Sequence, residues 1–432
     1  MTALVAPSPV PLREDLVVPA GPLLLVGVDD GPSYAAHRAR RGDLPVLTTD
    51  GVLDLVEAAG LRGRGGAGFP FARKLRTVAE HSRAGRRPVV VVNASEGEPA
   101  SAKDAALLTR APHLVLDGAA VVARALGVRE VHVVLPGDRP VACAAMTRAV
   151  GERHDHRLRW RLERADAHFV AGQTSAVGQL LEGRANRPVT AWQPDAVAGV
   201  RGRPTLLSNA ETWAHVGVLA LAGAAAYRSL GTADEPGTSL LTVTAPGHAP
   251  HVVEVEHGTP LASVLPASAE GSAVLVGGFH GAWLRPESVE SVGSVRVSRA
   301  ALAELEVSLG AGVVHVPGSH VCPVDRTAEV VAHLASQSAG RCGPCFHGLP
   351  ALADAADGVR HGRPGALARA EQLTGLVAGR GACAHPDGTV RLVRSLLTTY
   401  ADEVLVHERG GCSVTARADA GAPVVRLQER AS

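Results

Sequence analysis

The sequence predicts an α/β protein: a parallel-sheet domain, then a small β-rich module, then a C-terminal four-helix bundle. Three observations carry this. Apolar strand-like runs alternate with helical periodicity up to about residue 235, the texture changes to short strands and turns near Pro236, and it becomes helical from about Val324 to Leu405. Strands that alternate with helices pair in parallel, and such sheets place their ligand site at the carboxyl ends of the strands.

A chain of 432 residues exceeds what one hydrophobic core serves, so several domains are expected. The division read from the pattern is 1–45 as an irregular N-terminal extension, 46–235 as the α/β domain, 236–295 as the β-rich module, 315–408 as the helical domain and 409–432 as a polar tail. Within the α/β domain, Leu53–Leu61 has the apolar spacing of a short helix and "ARKLRTVAEHSRAG" of a longer one. "RPVVVVN" (Arg87–Asn93) is a buried strand, followed by a helix over His113–Leu126 and a strand over Glu130–Leu135. A helix over Val141–Arg153, a strand near Leu158–Glu163 and a helix over Ser175–Leu181 come next. The four helices of the bundle are read at Val324–Gln337, Gly348–Asp357, Ala366–Val377 and Thr389–Leu405.

Composition excludes some classes of function. The formal net charge is +1, and no basic stretch stands clear of acidic neighbours, so nucleic acid is not an expected partner. The apolar run Gly21–Val28 is too short to span a bilayer, and the N-terminus lacks the basic-then-apolar order of a signal peptide. A cytoplasmic protein without direct membrane insertion is expected. Its six cysteines then read as core residues or metal ligands before disulfides. Only two of the 43 basic residues are lysine, Lys74 and Lys103, and both fall in distinctive loops. A chain that uses arginine nearly everywhere keeps lysine where a compact ammonium suits better.

Two loops stand out. "GRGGAG" (Gly63–Gly68) holds four glycines in six residues, flanked by Arg62, Arg64, Arg73 and Lys74. A helix rather than a strand precedes it, so the dinucleotide-fold context is missing. The glycine backbone and the start of the next helix nonetheless suit an anion such as phosphate. "NASEGEP" (Asn93–Pro99) follows the apolar strand directly, which puts Glu96 and Glu98 at a strand's carboxyl end.

The cysteines leave the chemistry open. Cys342 and Cys345 form a Cys-x-x-Cys pair, and Cys383 lies in the same helical region. Such thiols hold zinc, part of an iron–sulfur cluster, or a redox disulfide. Cys143 sits in an apolar helix and reads as a core thiol, Cys322 as a strand end, and Cys412 has no evident partner.

Together these stretches resemble the flavin-bearing, NADH-oxidising 51 kDa subunit family of respiratory complex I, found also in NAD-linked hydrogenases and formate dehydrogenases. "GLRGRGGAGFP", "NASEGEPASAKD", "FVAGQTSAVGQLLEG" and "PTLLSNAETWAHV" are similar to its cofactor segments. "SAGRCGPCFHG" with "GACAHPDGTVRLV" is similar to its iron–sulfur region, and the likeness is collinear from about Leu53 to Leu405. The resemblance implies a parallel-sheet FMN-binding domain, a soluble-ligand-binding β-grasp (SLBB-like) module and a four-helix iron–sulfur bundle. It implies hydride transfer from NADH to FMN and single-electron transfer through an iron–sulfur cluster (4Fe–4S or 3Fe–4S) to a ferredoxin-like or complex I-like partner. Carried over by position, Gly63, Arg64, Gly65, Gly66, Gly68 and Lys74 would hold FMN and its phosphate. Asn93 and Glu96 would bind its polar edge, and Gly172, Ser208, Asn209 and Thr212 would close the other side. Phe69 would stack on adenine, and Glu98 would contact NADH; Glu96 and Glu98 are the candidate catalytic carboxylates. Cys342, Cys345 and Cys383 would be the metal ligands.

Departures from the family pattern bear mainly on the nucleotide. Its Asn-Ala-Asp-Glu-Ser-Glu is here Asn93, Ala94, Ser95, Glu96, Gly97, Glu98, and its Gly-Glu-Glu-Thr is Gly172, Gln173, Thr174, Ser175. Thr174 thus replaces a carboxylate that contacts NADH, and Trp192 is the nearby candidate for a missing aromatic. Ala339 occupies the place of the first cluster cysteine and is expected one helical turn before Cys342, on the same face. A three-iron cluster, a four-iron cluster completed by Ser338, by His385 or, if the fold brings it near, by Cys322, a Cys₃His zinc site including His385, and no metal are the open outcomes. Two rivals accompany the NADH reading: a flavin and iron–sulfur protein with another electron donor, and a non-catalytic scaffold.

Overall fold

The computed structural model describes residues 16–83, 87–155, 157–269, 271–290 and 295–414. Its first sheet has four parallel strands, β1 (Val89–Asn93), β2 (Glu130–Leu135), β3 (Arg159–Arg164) and β4 (Thr205–Asn209), in the order β3-β2-β1-β4. The run of four valines makes β1 an interior strand. Val90 and Val92 enter the large core beneath the helices Pro112–Ala125 and Ala210–Arg228, while Val89 and Val91 enter a smaller core beneath the helix Thr174–Leu181. This period-two alternation into two cores is why the strand is apolar throughout. β2 flanks β1 on one side and β4 on the other, so the carboxyl ends of β1 and β4, with Asn93 opposite Asn209, form the switch point where such sheets bind ligands.

The second sheet is mixed, with β5 (Thr238–Thr244), β6 (His251–Glu256), β7 (Val274–Val276), β8 (Ala282–Leu284) and β9 (Val313–His315) in the order β6-β5-β9-β7-β8. Only the β5–β9 pair is parallel. The middle strand β9 therefore comes from beyond the expected 236–295 stretch. Three residues are too short a run to register as a strand by periodicity alone.

The bundle follows with helices Pro323–Ser336, Leu349–Arg360, Ala366–Val377 and His385–Thr399, and a further helix, Ala401–Glu408, begins after Tyr400. The expected fourth helix is thus two. Bundle and second sheet share one core in which Leu275 and Trp283 pack with Val331 and Leu352. Trp283 Nε1 donates to Thr327 Oγ1 at 2.8 Å. The described part of the N-terminal extension is not irregular. It carries the helix Tyr34–Arg41, and the backbone N–H groups of Leu23, Leu24 and Leu25 converge on the Glu254 carboxylate of β6. Residues 1–15 and 415–432, the ends of the expected extension and tail, lie outside the described residues. Among the described residues no single helix is long and apolar enough to cross a membrane. The bent pair Lys103–Arg110 and Pro112–Ala125 has the length and composition, and its apolar side chains are buried in the first core.

Candidate functional site: a cleft between two sheets and the bundle

A cleft of about 700 Å³ opens at the carboxyl ends of β1 and β4. One wall is Arg64, Gly65, Gly66 and Ala67. The floor is Asn93, Ser95 to Glu98, Ser101, Lys103 and Asp104, with Asn209 beside them. Phe169 and Gly172 to Thr174 form a third side. Gly277, His280, Ser308, Gly310 and Ala311 come from the second sheet and its loops, and Ala384, Asp387, Gly388 and Arg391 from the bundle.

The glycine wall needs its glycines. Gly66 has φ of +97°, outside the range of L side chains. The wall is held from behind: Arg64 N donates to Thr212 Oγ1 at 2.9 Å. The guanidinium of Arg64 points away from the cleft. It donates to Thr238 O, Arg62 O and the Tyr227 hydroxyl, buried between the first domain and β5. Arg64 lines the cleft, while its guanidinium bonds link the first domain to β5. Lys74 lies off the cleft lining, its Nζ donating to Leu207 O at 2.9 Å, with Asp195 the neighbouring charge. Burial holds its ammonium below the usual lysine range. Gly63, Gly68, Phe69, Ser208 and Thr212 support the wall from outside the lining. Phe69 is 43% exposed with the Arg73 guanidinium over its face, and Trp192 is 92% exposed. The aromatic that does line the cleft is Phe169, packed edge-on against His280. It lies in a segment where no aromatic periodicity marks it.

The two candidate carboxylates differ in kind. Glu96 has φ of +38°, rare for a residue with a side chain. That backbone turn sends its carboxylate inward, where it accepts from Ser101 Oγ, Asp104 N, Ala105 N and Arg139 Nη1. Glu96 thus caps the helix Lys103–Arg110. Glu96 lines the cleft floor, and its carboxylate already accepts from these four donors of the fold. Gly97 beside it is required, because a Cβ there would meet Phe169 O at 2.5 Å. Glu98 is buried at the cleft and accepts from Ala100 N and Phe279 N. Burial pushes its carboxyl up to about 7 despite those two donors.

Lys103 supplies the cation at the floor. Nζ meets Asp104 Oδ1 at 2.8 Å, Glu211 Oε2 at 2.9 Å and Asn209 Oδ1 at 3.1 Å. Burial alone would depress its pKa, but the Asp104 and Glu211 charges outweigh it and hold Lys103 above the usual range. Asn209 also caps the helix Ala210–Arg228. Asn93 Nδ2 donates to Gly172 O at 2.9 Å, so these two expected cofactor residues fasten adjacent walls of the cleft to each other. Of the residues that sequence reasoning missed, Glu211 lies in the quoted PTLLSNAETWAHV segment, while His280 and Arg391 have no local motif. They reach this place only through the tertiary fold.

The thiols sit just behind the bundle wall. Cys342 and Cys345 place their sulfurs 3.5 Å apart at the start of the turn Pro344–Gly348, which leads into the helix Leu349–Arg360. Cys383 is near enough that, after burial, the charges of Cys345 and Cys342 raise its thiol pKa. Against the upward push of burial, the backbone N–H of Arg341 and the Cys342 thiol hold Cys345 below the usual thiol range. Ala339 is not helical; it lies in an irregular stretch before Gly340, whose φ is +62°. His385 is committed elsewhere: Nε2 donates to Leu334 O at 2.8 Å, so Nδ1 is left to accept from His280 Nε2 at 3.0 Å. Both nitrogens being engaged, His385 is not a free fourth ligand, and the Cys₃His zinc alternative loses its histidine.

Residues 56–218 match the family described as "Nuo51 FMN-binding domain", and residues 325–407 match the "NADH-ubiquinone oxidoreductase-F iron-sulfur binding region". The second F-type subunit of the NADH-quinone oxidoreductases of Rhizobium meliloti (strain 1021) is 30% identical over 93% of this chain and 97% of its own length. The chain belongs to the 51 kDa, F-type subunit family of NADH-quinone oxidoreductases. The HndC subunit of an NADP-reducing hydrogenase from Solidesulfovibrio fructosivorans is 27% identical over 88% of this chain and 80% of its own. In solved structures, a chain of an NAD⁺-reducing NiFe hydrogenase superposes with a TM-score of 0.78 at 26% identity, covering 95% of this chain and 73% of that one. The fold is therefore that of an NADH-linked FMN and iron–sulfur oxidoreductase subunit. The residues fit both groups: a cleft walled by glycine backbone suits FMN, and the thiols of Cys342, Cys345 and Cys383 in the family's iron–sulfur region suit three corners of a cluster.

Proposed function

We propose that this subunit accepts hydride from a reduced nicotinamide nucleotide at the cleft and delivers single electrons, by the iron–sulfur cluster that Cys342, Cys345 and Cys383 would hold, to a ferredoxin-like or complex I-like partner in the cytoplasm. One observation carries the reading: Ala384, the residue after Cys383, lines the cleft itself. The cleft and the thiols are thus separated by a single step of the chain. FMN, when bound, supplies the conversion between two-electron and one-electron chemistry.

The chain's own residues supply the rest. Backbone of Gly65 and Gly66 admits a flat, anionic ligand closely, and Asn93 and Asn209 hold the two strand ends that carry the floor. Phe169, seated against His280, excludes water from the side facing the bundle. Glu98, poised near neutrality, is able to hold or release a proton at the floor.

A second reading, with a donor other than NADH such as reduced ferredoxin, is favoured by one observation. Thr174 stands exposed on the cleft where the family carries a carboxylate. Anaerobic stopped-flow bleaching of the flavin separates the two. Slow or weakly saturating reduction by NADH is expected, with a faster rate in Thr174→Glu. No bleaching by NADH in either protein, but bleaching by reduced ferredoxin, would replace the first reading with the second. A colourless protein without flavin would overturn both in favour of a scaffold.

A further inference from the structure

Among the described residues, Cys322, Glu403, His407 and Cys412 bring their ligand atoms within 4.8 Å of one another. Cys322 Sγ to His407 Nε2 is 3.2 Å, Cys322 Sγ to Glu403 Oε1 is 3.8 Å, and His407 Nε2 to Glu403 Oε1 is 3.5 Å. Bond lengths to zinc of roughly 2.0–2.3 Å at tetrahedral angles put neighbouring ligand atoms roughly 3.3–3.8 Å apart. Cys322, Glu403 and His407 already stand at nearly that spacing, and Cys412 lies within 4.8 Å of each.

We propose that these four residues form a structural zinc site, separate from the cluster thiols. The donor set of two thiolates, one imidazole and one carboxylate draws on the ligand types that zinc takes in closed tetrahedral sites. The imidazole is oriented for it. His407 Nδ1 donates to Arg360 O at 2.7 Å, which leaves the Nε2 lone pair facing the sulfurs. Glu403 is oriented too, its Oε1 accepting from Ser413 N at 2.9 Å. Cys322 and His407 are buried and Glu403 and Cys412 half-buried, so the site is largely screened from solvent.

The ligands come from far apart. Cys322 is the residue before the helix Pro323–Ser336, His407 and Glu403 lie on Ala401–Glu408, and Cys412 follows that helix. Through Arg360 O the site also touches the end of Leu349–Arg360. One ion would therefore tie the first, second and last helices of the bundle at one end. The cluster thiols follow the opposite end of Pro323–Ser336, about 20 Å away for a helix of 14 residues. Binding would release the two thiol protons as Zn²⁺ replaces them.

The test is metal content of the full chain, produced with zinc and iron supplied and freed of loosely held metal by brief exposure to EDTA. About one zinc per chain is expected, falling below about one tenth in Cys412→Ala and in His407→Ala, while iron and flavin stay at wild-type levels. Cys345→Ala should do the reverse, losing iron and keeping zinc. If the zinc-site variants fail to fold, cobalt(II) loaded into the wild type should give thiolate charge-transfer absorption and tetrahedral d–d bands. Wild type with no retained zinc, zinc that survives in Cys412→Ala, or zinc lost in Cys345→Ala would each overturn the proposal, as would cobalt without a thiolate band.

Discussion

Glu98 Oε2 accepts the backbone N–H of Phe279 at 2.8 Å, joining the loop after β1 to the turn between β7 and β8. The carboxyl is pushed up to about 7 by burial. A raised carboxyl pKa means that the folded state binds the proton more tightly than the unfolded chain does. The stabilisation is full below the ordinary value of about 4.5 and is lost as pH rises to about 7. It amounts to about 3 kcal/mol at most. Urea unfolding of wild type and Glu98→Gln between about pH 4.5 and 7.5 checks this: the wild-type advantage should shrink as pH rises. A difference that does not change with pH would show that Glu98 titrates normally.

Lys103 touches both Asp104 and Glu211 in a buried setting. Lys103→Met removes one cation, leaving buried Asp104 without its cation and Glu211 with only Arg64 at 3.8 Å. The expected loss is about 3–5 kcal/mol of folding stability. Denaturant titration measures it, and a loss under about 1 kcal/mol would mean that the network is relaxed or hydrated in solution.

Lys74 is a half-buried ammonium with one neutral acceptor, Leu207 O, on the strand that carries Asn209. A phosphate nearby would supply further compensation. Lys74→Ala should weaken FMN binding by about 1–3 kcal/mol in a fluorescence titration. Unchanged affinity would assign Lys74 to the fold alone.

Ala339 leaves one corner of the cluster without a thiolate, and the other two cysteines of the bundle region, Cys322 and Cys412, gather elsewhere. Iron near about three per chain is expected in the wild type, rising toward about four in Ala339→Cys. Iron and acid-labile sulfide assays with electron paramagnetic resonance would decide it. Four irons in both proteins would show that a non-cysteine group completes the site.

The parallel sheet and the bundle were legible because four valines in β1 and the helical spacing of 323–399 leave little choice of element. The glycine wall and the acidic loop were legible because glycine density and strand position are local signals. Side-chain direction was not. Nothing local says that the left-handed turn at Glu96 sends its carboxylate into a helix start, or that Arg64 turns toward Tyr227. Lys103 was flagged by rarity, but its partner Glu211 comes from another helix. Cys322 and Cys412 looked unrelated because the residues that unite them, Glu403 and His407, lie 81 and 85 positions beyond Cys322.

The cleft draws its lining from residue 64 at one extreme and residue 391 at the other. A ribosome must therefore release nearly the whole bundle before the pocket has all its sides. Flavin loading becomes a late, post-synthetic event, and yellow colour reports a finished molecule rather than a finished domain. A chain cut short after β4 would hold the glycine loop and the acidic loop intact and still lack a roof. Shortage of iron, or of whatever steadies the bundle, would then surface first as pale protein, even in chains whose glycine loop is perfectly formed.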